Sequence, residues 1–138
     1  MAECIFCKII VGELPSYKLY EDDHTFAFLD IHPVSKGHVL VISKKHYGDF
    51  LEADIETLEY LTRSVHKIAQ VVKKGVSADG CNVTTNVGVA AGQVILHMHW
   101  HIIPRFTSDG LKLWPSQGDY TQDEATIIAD QIRMSIAL

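Results

Sequence analysis

Residues 97–103 read His-Met-His-Trp-His-Ile-Ile, a strict alternation of imidazole and apolar side chains. In a β-strand successive side chains leave on opposite faces, so His97, His99 and His101 emerge together while Met98, Trp100 and Ile102 point the other way. The apolar side has to be anchored on a core. A chain containing this segment is therefore committed to a sheet with one face buried and a row of histidines held on the other.

The rest of the sequence supplies that sheet. A short segment, Ile5 to Val11, is followed by strands over 17–20 and 25–29 that close as a hairpin around Asp22 and Asp23. Val39-Leu40-Val41-Ile42, bounded by Gly37 and by Ser43-Lys44-Lys45, suits a buried strand. Asp54 caps a helix whose apolar residues Ile55, Leu58, Leu61, Val65, Ile68 and Val72 recur every three or four positions before Lys73-Lys74-Gly75. Strands over 81–85 and 96–103 flank a glycine-bearing loop, 86–92. Thr121-Gln122-Asp123-Glu124 is a capping box that opens a last helix from Ala125 to about Ala137. Consecutive strands with short turns around one long helix predict an α+β fold with a largely antiparallel sheet. No linker or repeat interrupts residues 1–138, so a single domain is expected.

Composition narrows the function. A formal charge of -5 and a pI near 5.8 argue against a sequence-independent nucleic-acid binder, which needs a basic stripe to displace counterions from phosphates. Lys36, Lys44, Lys45, Lys73 and Lys74 read as solvated surface charge. The start of the chain carries no basic segment followed by a long apolar run, so no secretory signal, no membrane span and a cytoplasmic location are expected. In that reducing compartment Cys4 and Cys7 read as a metal or redox pair. Cys81, alone in an apolar stretch, reads as a buried inert thiol. His24, His32 and His66 have no motif around them and read as surface or helix-face residues.

Three readings are open for the histidine row itself. The residues can be incidental, they can ligate one metal ion, or they can do phosphorus chemistry. Side chains two apart on a strand sit roughly 7 Å apart at the backbone, so three in a row converge poorly on one ion. Neutral imidazole is a good nucleophile near pH 7 once its second nitrogen is hydrogen-bonded, and a protonated neighbour can stabilise phosphate charge. That third reading carries the most.

The row, continued by Pro104-Arg105, resembles the signature of the histidine-triad superfamily. The resemblance extends over most of the chain: the opening Cys-Ile-Phe-Cys-Lys-Ile-Ile, Phe28-Leu29-Asp30-Ile31, Gly37-His38-Val39-Leu40-Val41-Ile42, Lys44-Lys45-His46, and Asn86 with Ala91-Gly92-Gln93. It is similar to the Hint branch in its small prokaryotic form, while Ile103-Pro104-Arg105 also resembles the fragile-histidine-triad type. The resemblance implies a five-stranded HIT-like fold, with His99 as a nucleophile that is transiently nucleotidylated. It places His101 on the α-phosphate and His38 behind the active-site histidines. Asn86, Gly92 and Gln93 fall on the phosphate loop and Asp30 on the ribose hydroxyls. Ile5, Phe6, Ile9, Leu14, Phe28, Leu29 and Ile31 fall on the base pocket.

It further implies a structural zinc held by Cys4, Cys7, His46 and His97, a homodimer, and a purine nucleotide substrate. The activity implied is hydrolysis or transfer at the α-phosphate of nucleoside phosphoramidates or dinucleoside polyphosphates, releasing a nucleoside monophosphate such as AMP. The alternative is a nucleotide-binding regulator whose hydrolysis is incidental. One position departs from the Hint pattern: Val94 stands where a Ser or Thr usually contacts the scissile bond. That favours leaving groups that depart unaided, as in dinucleoside polyphosphates.

Overall fold

The computed structural model describes residues 3–136. Helix α1 (Ile5–Ile10) opens with Cys4 as its cap, whose Sγ accepts the Cys7 N–H. Strands β1 (Lys18–Glu21) and β2 (Thr25–Leu29) form the expected hairpin. Its turn is fixed by Asp22 Oδ1, which accepts the N–H groups of His24 and Thr25 at 2.8 Å each. Then come β3 (Val39–Ser43), α2 (Ile55–Gly75), β4 (Gly80–Thr85), β5 (His99–Arg105) and α3 (Gln122–Ile136). The five strands lie in the order β1-β2-β3-β5-β4, every neighbouring pair antiparallel.

Alternation along the strands creates two cores. One face carries Ala27, Val39, Val41 and Ile102, on which α2 sets Leu61, Val65, Ile68 and Val72. Each valine, leucine or isoleucine among them, fully buried, contributes roughly 1.5–3 kcal/mol of transfer free energy. Asp54 caps α2 by accepting the Thr57 N–H at 2.8 Å. The other face carries Phe26, Phe28, Leu40 and Ile42, covered by Phe6 of α1. Leu40 pairs with His101 and Ile42 with His99 in the ladder between β3 and β5, and directly opposed residues share a face. Both histidines therefore belong to the α1 side.

The histidine segment differs from expectation in one respect. The strand expected from Leu96 onward starts only at His99, leaving His97 and Met98 in the approach to β5. The cause is long-range: the Met98 N–H donates to the Tyr47 carbonyl at 2.7 Å, and His97 Nε2–H donates to the Ser43 carbonyl at 2.7 Å. Met98 still reaches the α2 core, and His97 is completely buried. Cys81, expected buried, is half-buried on β4. The final helix starts at Gln122, with Glu124 Oε1 accepting the Thr121 N–H as the capping box requires; its expected end at Ala137 lies outside the described residues. No helix among the described residues is long and apolar enough to cross a membrane.

Candidate active site

Four elements converge on the α1 side of the sheet. Their side chains enclose a cavity of about 470 Å³, within the size range of small-molecule sites. Ile5, Phe6 and Ile9 come from α1, Phe28 and Leu29 from β2, Asp30 and Ile31 from the loop after it, and His99 and His101 from β5. Gly92 and Val94 complete the rim. Phe6 meets the His99 ring edge-on at 5.2 Å between centroids, so the position of α1 sets the wall beside that imidazole.

Hydrogen bonds fix which nitrogen of each histidine faces the cavity. A backbone carbonyl can only accept, and the His97 carbonyl lies 2.6 Å from His99 Nδ1. His99 Nδ1 is therefore the protonated nitrogen and Nε2 keeps its lone pair. A backbone N–H can only donate, and Val34 N–H donates to His38 Nδ1 at 3.1 Å. His38 thus carries its proton on Nε2, which donates to His101 Nδ1 at 2.9 Å, leaving His101 with its own proton on Nε2. The relay puts a nucleophilic lone pair on His99 next to a neutral donor on His101, with the two rings 5.0 Å apart.

Burial, above all, pushes the pKa of each imidazole down. For His101 it falls to about 4, with repulsion from His99 and His38 adding to burial and the Asp30 carboxylate opposing it. His99 and His38 also move down, chiefly by burial and again opposed by Asp30. At neutral pH all three are uncharged. That suits His99 as a nucleophile and corrects the expectation of a protonated neighbour: His101 offers a neutral N–H.

Asp30 Oδ1 accepts the His32 N–H at 2.8 Å, and Oδ2 lies 3.8 Å from His38 Nε2 at the cavity wall. The phosphate loop divides its residues differently from expectation. Gly92 has φ +94°, a left-handed conformation that L side chains avoid, and a Cβ there would lie 3.6 Å from Asn86 Nδ2. Among the described residues the Asn86 side chain makes no hydrogen bond to the protein, and Asn86 itself is not among the residues that line the cavity. Gln93 is buried, Oε1 accepts the Gly88 N–H at 2.9 Å, and Nε2 donates to the Gly48 and Ile95 carbonyls at 2.7 and 3.1 Å. Gln93 holds the loop in shape, and its expected place on the phosphate is taken by neither of its polar atoms.

Behind the cavity, Cys4 Sγ lies 3.3 Å from His97 Nδ1, Cys7 Sγ 3.4 Å from His46 Nδ1, and the two Nδ1 atoms are 3.1 Å apart. All four ligand atoms lie within 4.8 Å of one another. A tetrahedral zinc with bonds of about 2.3 Å to sulfur and 2.0–2.1 Å to nitrogen places its ligands roughly 3.3–3.8 Å apart, so the set fits the ion. The Ser43 carbonyl on His97 Nε2 turns the Nδ1 lone pair into this cluster, as outer partners of metal-bound histidines do.

Most of the expected wall residues line the cavity, whereas Leu14 does not. His38 and His97 stand behind it, in supporting places. Sequence reasoning missed Pro15, Ser16, Leu40 and Ile95, and left His32 as a surface residue although it lies on the rim. Leu40 was within reach, since it alternates with Val39 and Val41 on a strand whose other face had to meet the helix. Ser16 and Ile95 carry no local signal. His24 stacks on Tyr60 at 3.6 Å and His66 contacts Gln70 on α2, both away from the site.

Comparison with known proteins agrees with this geometry. The HIT domain model matches residues 11–108. An adenylylsulfatase of Arabidopsis thaliana, HINT3, is 44% identical over 115 residues, covering 83% of this chain and 57% of that protein. The adenosine 5'-monophosphoramidase HNT1 of Candida albicans is 40% identical over 122 residues, 84% of this chain and 80% of that one. The crystal structure of SMU.412c from Streptococcus mutans UA159 superposes with a TM-score of 0.92 at 39% identity, over 99% of this chain and 87% of that one. With a HIT domain model spanning most of its length and an imidazole row built into one cavity, the chain belongs to the HIT family.

Proposed function

We propose that the protein is a nucleotide hydrolase or transferase that cleaves at the α-phosphate of an adenine nucleotide through His99. The observation that carries this reading is the pair of fixed tautomers: a lone pair on His99 Nε2 and a proton on His101 Nε2, side by side at one cavity wall. The base lies among Phe6, Ile9 and Phe28, and Asp30 Oδ2 accepts from the ribose hydroxyls. Asn86 and the backbone around Gly92 receive the phosphate, as neutral preorganised donors do for developing charge.

In the first step the His99 Nε2 lone pair forms a bond to phosphorus as the bond to the leaving group breaks; His101 Nε2–H donates to the phosphate or the departing atom. Water then displaces His99 and releases the nucleoside monophosphate; another acceptor in place of water makes the reaction a transfer. The adenylylsulfatase and the phosphoramidase have names that imply leaving groups of different chemistry, sulfate in one and an amine in the other, on a shared adenylyl half.

In this chain the leaving-group side carries Val94, 84% exposed and without a donor. Leaving groups that need no proton, such as the nucleotide half of a dinucleoside polyphosphate, are favoured over amines. Cys4, Cys7, His46 and His97 would hold zinc, supplying a closed structural clamp between α1 and the approach to β5 and no open position for substrate. The working unit is taken to be a homodimer.

The test is rapid-quench mass spectrometry with an adenosine phosphoramidate and with diadenosine tetraphosphate, beside His99→Ala. An adenylate-sized mass gain that requires His99, faster with the polyphosphate, supports both parts. A phosphoramidate labelling far faster refutes the leaving-group preference. No adduct and no AMP, despite AMP binding, overturns the hydrolase in favour of a nucleotide-binding regulator.

A further inference from the structure

Helix α1 is tied to the sheet through its sulfurs. Among the described residues, the backbone hydrogen bonds of Cys4 to Ile10 all stay within residues 4–14. The polar contacts that leave that stretch are those of Cys4 Sγ to His97 Nδ1 and of Cys7 Sγ to His46 Nδ1 and His97 Nδ1, at 3.3, 3.4 and 3.6 Å. Phe6 alone of the α1 residues is buried. A helix of six residues has too few internal bonds to offset its nucleation, so its order comes from these attachments.

The same two sulfurs bracket a cavity wall. Ile5 and Phe6 lie between Cys4 and Cys7, Ile9 follows on the next turn, and all three line the cavity. At the far end of the cluster, His97 supplies the carbonyl that accepts the His99 Nδ1 proton at 2.6 Å. Phe6 meets both of these rings edge-on, at 5.8 Å for His97 and 5.2 Å for His99 between centroids. Whatever releases the cluster therefore releases part of the pocket with it.

The cluster is open on its sulfur side. His97 is completely buried, whereas Cys4 and Cys7 are only half-buried, so a small oxidant meets sulfur first. The thiolates that a zinc ion requires are the form of cysteine that peroxides attack. Placement suits closure: the two sulfurs lie within 4.8 Å of each other. Cys4 is the cap of α1, with an extended backbone at ψ 118°, so its side chain can swing to Cys7 without unwinding the helix. Cys81, the third thiol, stands apart on β4.

We propose that Cys4 and Cys7 are a site of reversible oxidation, whose closure to a disulfide ejects zinc and lowers the affinity of the cavity for its nucleotide. The proposal rests on the zinc clamp and the nucleotide pocket inferred above, and is independent of the chemistry at His99. The oxidant is a peroxide. One thiolate attacks its O–O bond, becoming a sulfenic acid and releasing hydroxide; the second thiolate displaces hydroxide from that sulfur and closes the S–S bond. Two thiolates have then lost two electrons, and the peroxide has been reduced to two hydroxides. His46 and His97 are left as two neutral ligands, too few for a structural zinc. Helix α1 keeps only the packing of Phe6, and its wall of the pocket loosens. A wall in place about a tenth of the time raises the apparent Kd about tenfold. A dithiol reverses the exchange, after which zinc re-forms the clamp.

The test uses the full chain, reduced and zinc-loaded, with AMP affinity measured by calorimetry before and after a small excess of hydrogen peroxide. The intact mass is expected to fall by two hydrogens, a coloured chelator to take up about one zinc per chain, and the Kd for AMP to rise about tenfold. A dithiol with added zinc should restore all three. Cys81→Ser should respond as the wild type does; Cys7→Ser, which cannot close the disulfide, should show neither the mass loss nor a peroxide-dependent change in affinity. Zinc that stays in place under peroxide, a disulfide that leaves AMP affinity unchanged, or an affinity loss that Cys81→Ser abolishes overturns the proposal. AMP that does not bind even before oxidation overturns the pocket reading and the proposal with it. The mass and zinc readouts need no nucleotide, so they tell that failure from a failure of the cysteine chemistry.

Discussion

Replacing His38 by Phe removes the relay that sets the His101 tautomer while keeping a planar ring of similar size. His38 touches neither the cavity nor the reacting atoms; it acts through its 2.9 Å bond to His101 Nδ1. Without it, His101 Nδ1 becomes a buried acceptor with no partner, at a cost of about 1–3 kcal/mol, and the ring escapes that cost by moving its proton from Nε2 to Nδ1. The donor facing the phosphate is then lost. A bias of about 1.4 kcal/mol corresponds to tenfold in rate, and complete loss of one preorganised donor to about 10²–10³ in kcat. The expected fall lies between those bounds, with His101→Ala marking the ceiling. The assay is single-turnover labelling of His99 in wild type, both single variants and the double variant. Because His38 works through His101, adding His38→Phe to His101→Ala should change little. If the double variant shows the product of the two separate losses, His38 has a role of its own and the relay is wrong.

Other outcomes rest on the same geometry. Gly92→Ala forces a side chain into φ +94°, costing roughly 1–2 kcal/mol; AMP affinity measured by calorimetry should weaken by about tenfold. Val94→Ser introduces a hydroxyl at the leaving-group rim and should raise phosphoramidate turnover relative to diadenosine tetraphosphate; an unchanged ratio removes Val94 as the determinant. Elemental analysis should find about one zinc per chain, and stripping it, or Cys7→Ser, should lower the melting temperature and loosen α1 in hydrogen exchange. Unfolded His101 takes up a proton near pH 6.5 but folded His101 only near pH 4. Between those values the unfolded state binds more protons, so stability drains as pH falls. Urea unfolding at pH 7 and 5 should show that loss, and His101→Phe should reduce it.

How much was legible in the sequence depended on the range of the interaction responsible. Period two along Val39–Ile42 and 97–103, and the three-and-four spacing of α2, are set by neighbours within one turn or one pleat. Those elements, and the face shared by His99 and His101, emerged where the residues placed them. The same pattern misplaced the start of β5, because the bonds that draw the chain aside come from Tyr47 and Ser43, some fifty residues earlier. Gln93 has the chemistry of a phosphate donor, and only the approach of Gly48 and Gly88 directs it inward.

The sequence by itself determined a sheet with a buried face and a histidine face, the helix that covers the first, and the residue types able to attack phosphorus. All of this comes from local periodicity and side-chain chemistry. The tertiary structure alone decided which nitrogen of each histidine carries its proton, since Val34, Ser43 and the His97 carbonyl impose it through donors and acceptors whose positions only folding fixes.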